Sequence, residues 1–138
     1  MNKKRLLATL AGGVFAFLLG WLIFGILLMD FYTENTTSYP GLFKEPMSMW
    51  TISTGCFLWT FLIAWVYSRS SGEKSILGGT VTGAMLGLLV AAFFDLNFLG
   101  NWNLYSPTLL IVDVFVNTFY SACIGAVAGW ILKDKRAE

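Results

Sequence analysis

Four apolar stretches, at about residues 6–29, 46–67, 75–98 and 107–132, limit what this chain can fold into more than any other feature. Each is long enough to cross about 30 Å of hydrocarbon, which takes about 20 helical residues at 1.5 Å per residue. Inside a bilayer no water meets the backbone N–H and C=O groups. A spanning segment must satisfy them itself, as a helix does. A soluble chain would have to cover such helices with polar surface. Hydrophobic residues make up 57% of the chain and charged residues 12%, about half the usual quarter for a soluble domain. The sequence therefore predicts an all-α, four-transmembrane-helix bundle, a single integral membrane domain over residues 1–138.

Local signals set the expected ends. The first stretch follows Lys3, Lys4 and Arg5. It is longer than the apolar core of about 7–15 residues in a secretory signal, and no clear cleavage pattern follows, so it reads as a retained helix. Pro46 and Pro107 suit the first turn of a helix, where a missing N–H costs nothing, and Ser106 suits the N-cap. Gly72 marks the turn between the second and third spans.

Charge predicts orientation. With four spans, Lys3, Lys4, Arg5, Arg69, Lys74, Lys133, Lys135 and Arg136 fall at one end of the bundle and Lys44 at the other. Eight of nine basic residues on one side predicts that both termini are cytoplasmic in a multi-pass cell inner membrane protein. Trp102 and Tyr105 suit the opposite headgroup region. The triplet Asn35-Thr36-Thr37 matches the N-glycosylation pattern, but the basic N-terminus looks bacterial and the triplet reads as chance.

Lipid is as apolar as leucine, so the spans must associate through close backbone packing at small residues. Gly79, Gly83, Gly87 and Ala91 recur every four residues in the third span, Ser121, Gly125 and Gly129 in the fourth, and Gly12, Ala16 and Gly20 in the first. These faces are helix-packing surfaces, filled within the bundle or by a second copy. The first and third spans also share an outline. Gly12-Gly13 and Gly78-Gly79 stand near one end, Asp30 and Asp95 at the other, which is compatible with a duplicated hairpin.

Polar residues within spans are costly and therefore informative. Asp113 is the deepest acid. Asn117 and Ser121 follow at intervals of four, on one helical face. Asp95 and Asn97 lie near the outer end of the third span, Ser48, Thr51 and Gly55 at the outer end of the second, and Asp30 at the end of the first. No lysine or arginine stands at matching depth in a span. These acids must then be protonated, hydrogen-bonded to neighbours such as Asn117 or a tyrosine, or paired with a bound cation or solute. Asp113 is expected to point inward, towards Thr51 or Asp95. The candidate polar pocket is Asp95, Asn97, Asp113, Asn117 and Thr51.

Other chemistry is thinly represented. Histidine is absent, and with it the commonest metal ligand and general base. Cys56 and Cys123 show no metal-ligand spacing. Their helical positions differ by about 10 Å in depth, too far for a disulfide. No cofactor, metal or catalytic residue is predicted.

The motifs Gly83-Ala84, Gly87, Asp95-Leu96, Trp102-x-Leu104 and Val112-Asp113-Val114 followed by Thr118 resemble a family of small uncharacterised four-span bacterial inner-membrane proteins. The resemblance covers about residues 83–125. Val116-Asn117 stands where the family tends to have Trp-Gly. The resemblance implies the same four-span fold and draws attention to Asp95 and Asp113. It implies no activity.

The leading functional expectation is a non-enzymatic assembly, scaffolding or accessory membrane component. Its expected partners are the lipid bilayer and either a second copy or another membrane protein, with no nucleic acid. The alternative is a binder or transporter of a small solute or cation through an outward-facing polar pocket. A membrane enzyme would need a nucleophile and base at one depth, and the sequence offers neither.

Overall fold

A computed structural model describes residues 3–133 of the chain. Among these residues the structure is all-helical, apart from one isolated antiparallel bridge between Thr36 and Tyr105. Helix α1 covers Lys3–Leu22 and runs into a π-helical turn, Ile23–Leu27, followed by the short α2, Met29–Glu34. The longer helices α3 (Met49–Arg69), α4 (Ile76–Asn101) and α5 (Pro107–Leu132) complete the fold. Four segments are long and apolar enough to cross a membrane: Lys3–Leu27, α3, α4 and α5.

Side-chain and dipole effects explain where these helices begin and end. Ser75 and Ser106 cap α4 and α5, their hydroxyls accepting from the N–H groups of Gly78 (3.0 Å) and Leu109 (3.1 Å). Pro107 occupies the first turn of α5. Arg69 lies in the last turn of α3, where a cation complements the helix dipole. Pro46 does not start α3 as the sequence suggested. The helix begins at Met49, with Ser48 before it in a non-helical conformation. Gly72 makes the α3–α4 turn at φ 95°. Tyr67 braces that turn, its hydroxyl donating to Ser75 O (2.7 Å) and accepting from Ser75 N (2.6 Å).

Helix α5 lies at the centre, packing against α1, α3 and α4, while α1 packs against α3. The α4–α5 pair is the closest, and its seam is the set of small residues seen in the sequence. A Cβ placed on Gly79 would lie 2.7 Å from Gly129 Cα, one on Gly125 3.0 Å from Gly83 Cα, and one on Gly87 2.7 Å from Asn117 O. The seam is therefore backbone against backbone and leaves no room for a second copy. Of the α1 glycines, Gly12 is filled by Thr60 and Gly13 by Phe57 of α3, and Gly20 faces Tyr120 of α5. Ala16, Ile23, Ile63, Tyr120 and Ile124 form the central core. There the Tyr120 hydroxyl donates to Ala16 O across the α1–α5 contact (2.9 Å).

The two ends of the bundle differ. At one end Ala8, Ala64, Tyr67, Ala128 and Leu132 cluster, and Lys4 Nζ donates to Lys133 O (3.3 Å). Lys3, Arg5, Arg69 and Lys74 belong to this end by their positions on α1 and in the α3–α4 turn. Lys135 and Arg136 lie outside the described residues. At the other end the two remaining connections are joined: Thr37 N donates to Leu104 O (2.7 Å) and Ser106 N to Asn35 O (2.9 Å). The outer surface between the ends is apolar. Leu18, Leu89, Phe93 and Phe115 are all exposed, Phe115 to 71%. A continuous apolar belt of this kind needs a non-aqueous neighbour.

Candidate functional site

The α3–α4 contact is the loosest among the long helices that meet, and a cleft of about 450 Å³ opens between them, floored by α5. Gly55 and Cys56 of α3 and Gly87 and Ala91 of α4 keep its walls thin. A Cβ on Gly55 would meet nothing within 4 Å. Trp59, Phe94, Phe98 and Tyr120 supply aromatic lining, while Asp95, Asp113, Asn117 and Ser121 supply the polar groups.

The stripe predicted on α5 faces this cleft and is held in place. Asp113 Oδ1 accepts from the Tyr32 hydroxyl, and Oδ2 accepts from Asn117 Nδ2 (2.7 Å). One turn further, Ser121 Oγ accepts from Trp59 Nε1 (3.0 Å), tying α3 to α5. Burial, and then the hydrogen bond to Asp113, raise the Tyr32 hydroxyl above its ordinary pKa, so Tyr32 stays a donor.

Asp95 is placed differently. The residue is only 8% exposed and lines the same cleft as Asp113. Its Oδ2 is buried with no partner among the described residues. Buried polar atoms are almost always paired, and an unpaired carboxylate oxygen is among the most costly to leave. Each oxygen of Asp113 thus accepts one protein donor, while Asp95, in the wall of the same cleft, has a buried oxygen that accepts none. Such a pair can hold a proton or a cation.

The remaining expected pocket residues sit elsewhere. Asn97 is exposed, and its amide donates to Phe93 O of its own helix (2.7 Å). Two residues past Asp95 is about 200° around a helix, so the two cannot share a face. Thr51 is exposed and hydrogen-bonds Ser48 (2.7 Å) rather than Asp113. Its neighbour Ile52 lines the cleft instead. Asp30 is exposed, unlike Asp95, so the two acids of the proposed duplication have different surroundings. Gly79, Gly83, Gly87, Gly125 and Gly129 meet in the α4–α5 seam.

Tyr32 was not singled out by the sequence. Its access to Asp113 depends on the π-helical turn. There Leu28 N bonds Ile23 O, five residues back (2.9 Å), and the extra residue rotates α2 relative to α1. The signal available was weak: a glycine, Gly25, near the end of the first apolar run, with a tyrosine a turn or two beyond. Comparison of the chain with protein-family models, curated proteins and solved structures finds no match, so function must be argued from this geometry.

Proposed function

We propose that the chain is a multi-pass bacterial inner-membrane protein, both ends cytoplasmic, that holds a small solute in a polar cleft open to the exterior. The four long apolar helices and their exposed apolar belt support residence in a bilayer. The concentration of lysine and arginine at one end supports the orientation. By that orientation Asp95 and Asp113 lie in the outer half. The suggested kinship with small four-span bacterial membrane proteins belongs to the same proposal.

The observation that carries the solute reading is the unpartnered, buried Asp95 Oδ2 in the wall of a cleft of about 450 Å³. Ligand pockets have this character: mostly apolar walls, a few convergent polar groups, and volumes of about 300–1,000 Å³. The assembly role drew its support from the small-residue faces. The seam between α4 and α5 uses those faces within one chain, so they no longer argue for a partner.

Native mass spectrometry of the protein, extracted from its own membranes in mild detergent, separates the two roles. The solute reading expects a small-molecule adduct that Gly55→Leu, by filling the cleft, removes. An adduct-free chain found only in stoichiometric complex with itself or another protein would return the assembly role.

A further inference from the structure

Resting on the solute-site reading, we infer that the cleft takes a small organic ammonium, anchored on the Asp95 carboxyl and seated against the aromatic wall. Four features converge on this class. The first is sign. Two carboxyls, Asp95 and Asp113, line one cleft, and the sequence places no basic residue at their depth in any span. A partly buried site with two acids and no internal cation favours a positive guest.

The second is the number of available oxygens. Hard metal cations require about six oxygen ligands. Asp113 already spends one oxygen on Tyr32 and the other on Asn117. Among the described residues no group of three or more acidic, histidine or cysteine side chains could hold a metal ion. An ammonium N–H needs only one well-placed carboxylate acceptor to form a charge-assisted bond, and the Asp95 carboxyl, which lines the cleft and has one oxygen without a partner among the described residues, can supply it.

The third is size. A cleft of about 450 Å³ suits a small organic molecule and is far larger than a bare ion requires. The fourth is the wall. Trp59, Phe94, Phe98 and Tyr120 line the cleft along with the polar groups. Aromatic faces attract cations, more strongly when both are desolvated, and they accept the apolar body of an amine as well. An anion or a sugar would find few matching donors, because the Asn117 amide, the Trp59 N–H and the Tyr32 hydroxyl are all engaged within the protein.

An ammonium could reach the cleft dissolved in water or as the ethanolamine headgroup of a lipid. The test titrates the full chain in dodecyl maltoside with 2-phenylethylammonium by calorimetry. Its uncharged isostere 2-phenylethanol and potassium chloride serve as controls. The expected result is saturable binding of the ammonium, at least tenfold tighter than the alcohol. Asp95→Asn should weaken it tenfold or more, Gly55→Leu should abolish it, and Asp30→Asn should leave it unchanged. If Asp95→Asn fails to fold, Gly55→Leu and the alcohol decide.

Equal binding of the alcohol, or displacement of the probe by equimolar potassium, would overturn the ammonium class while leaving a solute site. Absence of binding by ammonium and alcohol alike would overturn both. Repeating the titration in phosphatidylglycerol nanodiscs with and without phosphatidylethanolamine assigns the source. Competition by the second lipid identifies a headgroup amine, and unchanged binding identifies a dissolved one.

Discussion

Replacing Gly83 by alanine adds one methyl group at the tightest part of the molecule, and the structure sets the size of the effect. The new Cβ would stand 3.0 Å from Gly125 Cα and closer still to the carbonyl oxygen of Ser121. Carbon atoms rest at about 3.5–4.0 Å, so α4 and α5 must part by about 1 Å. Both obstacles are backbone, and no change of rotamer relieves them. Overpacking of this kind costs about 1–3 kcal/mol, and leucine at the same position costs more. The usual gain in helix propensity from glycine to alanine does not offset this, because membrane helices persist in the unfolded reference state. The matched control is Gly55→Ala, whose Cβ meets nothing within 4 Å and which should be nearly neutral. Gly72 is a poorer control than its loop position suggests, since its φ of 95° strains any side chain. Titration with SDS in dodecyl maltoside, followed by circular dichroism, measures the difference. Equal stabilities for Gly83→Ala and Gly55→Ala would refute a backbone-to-backbone seam.

Three further outcomes follow from the same contacts. Asp113→Asn should fold as the native chain does, because its amide can accept from Asn117 while donating to the Tyr32 hydroxyl. Asp113→Leu leaves both that hydroxyl and the Asn117 amide without a side-chain partner at position 113 and should lose about 1–3 kcal/mol in the same SDS titration; equal stability of the two variants would contradict the Tyr32–Asp113 contact. Cys56 and Cys123 are both free, and mass spectrometry of unreduced, alkylated protein should find two modified thiols and no bridge. A reporter fused at the C-terminus should read cytoplasmic and one inserted at Gly41 exterior; a periplasmic C-terminal signal would contradict the orientation.

Much of this architecture was legible because it follows from one-dimensional patterns. Span length and apolarity located the four long helices, and the interval of four placed Gly79, Gly83, Gly125 and Gly129 on faces that could meet. Ser106-Pro107 announced the start of α5 because capping chemistry is local. The site was less legible, since it depends on how each helix is rotated about its axis. Apolar residues stand on every side of helix α3, so nothing in its pattern decides between Thr51 and Ile52 as the residue lining the cleft. Asp95 and Asn97 looked alike in sequence, yet they sit on opposite faces. Tyr32 was hidden for a related reason. One residue of π-helical register after α1 carries it towards Asp113, and hydrophobic periodicity does not record such a shift.

The central claim is a cleft in the membrane that opens to the exterior beside Asp95 and Asp113. Its most direct test is labelling of Gly55→Cys, with Cys56 and Cys123 replaced by alanine, by a membrane-impermeant methanethiosulfonate carrying a quaternary ammonium. Labelling in intact cells, slowed by 2-phenylethylammonium, is the predicted result. Labelling that occurs only after permeabilisation, or not at all, would contradict it.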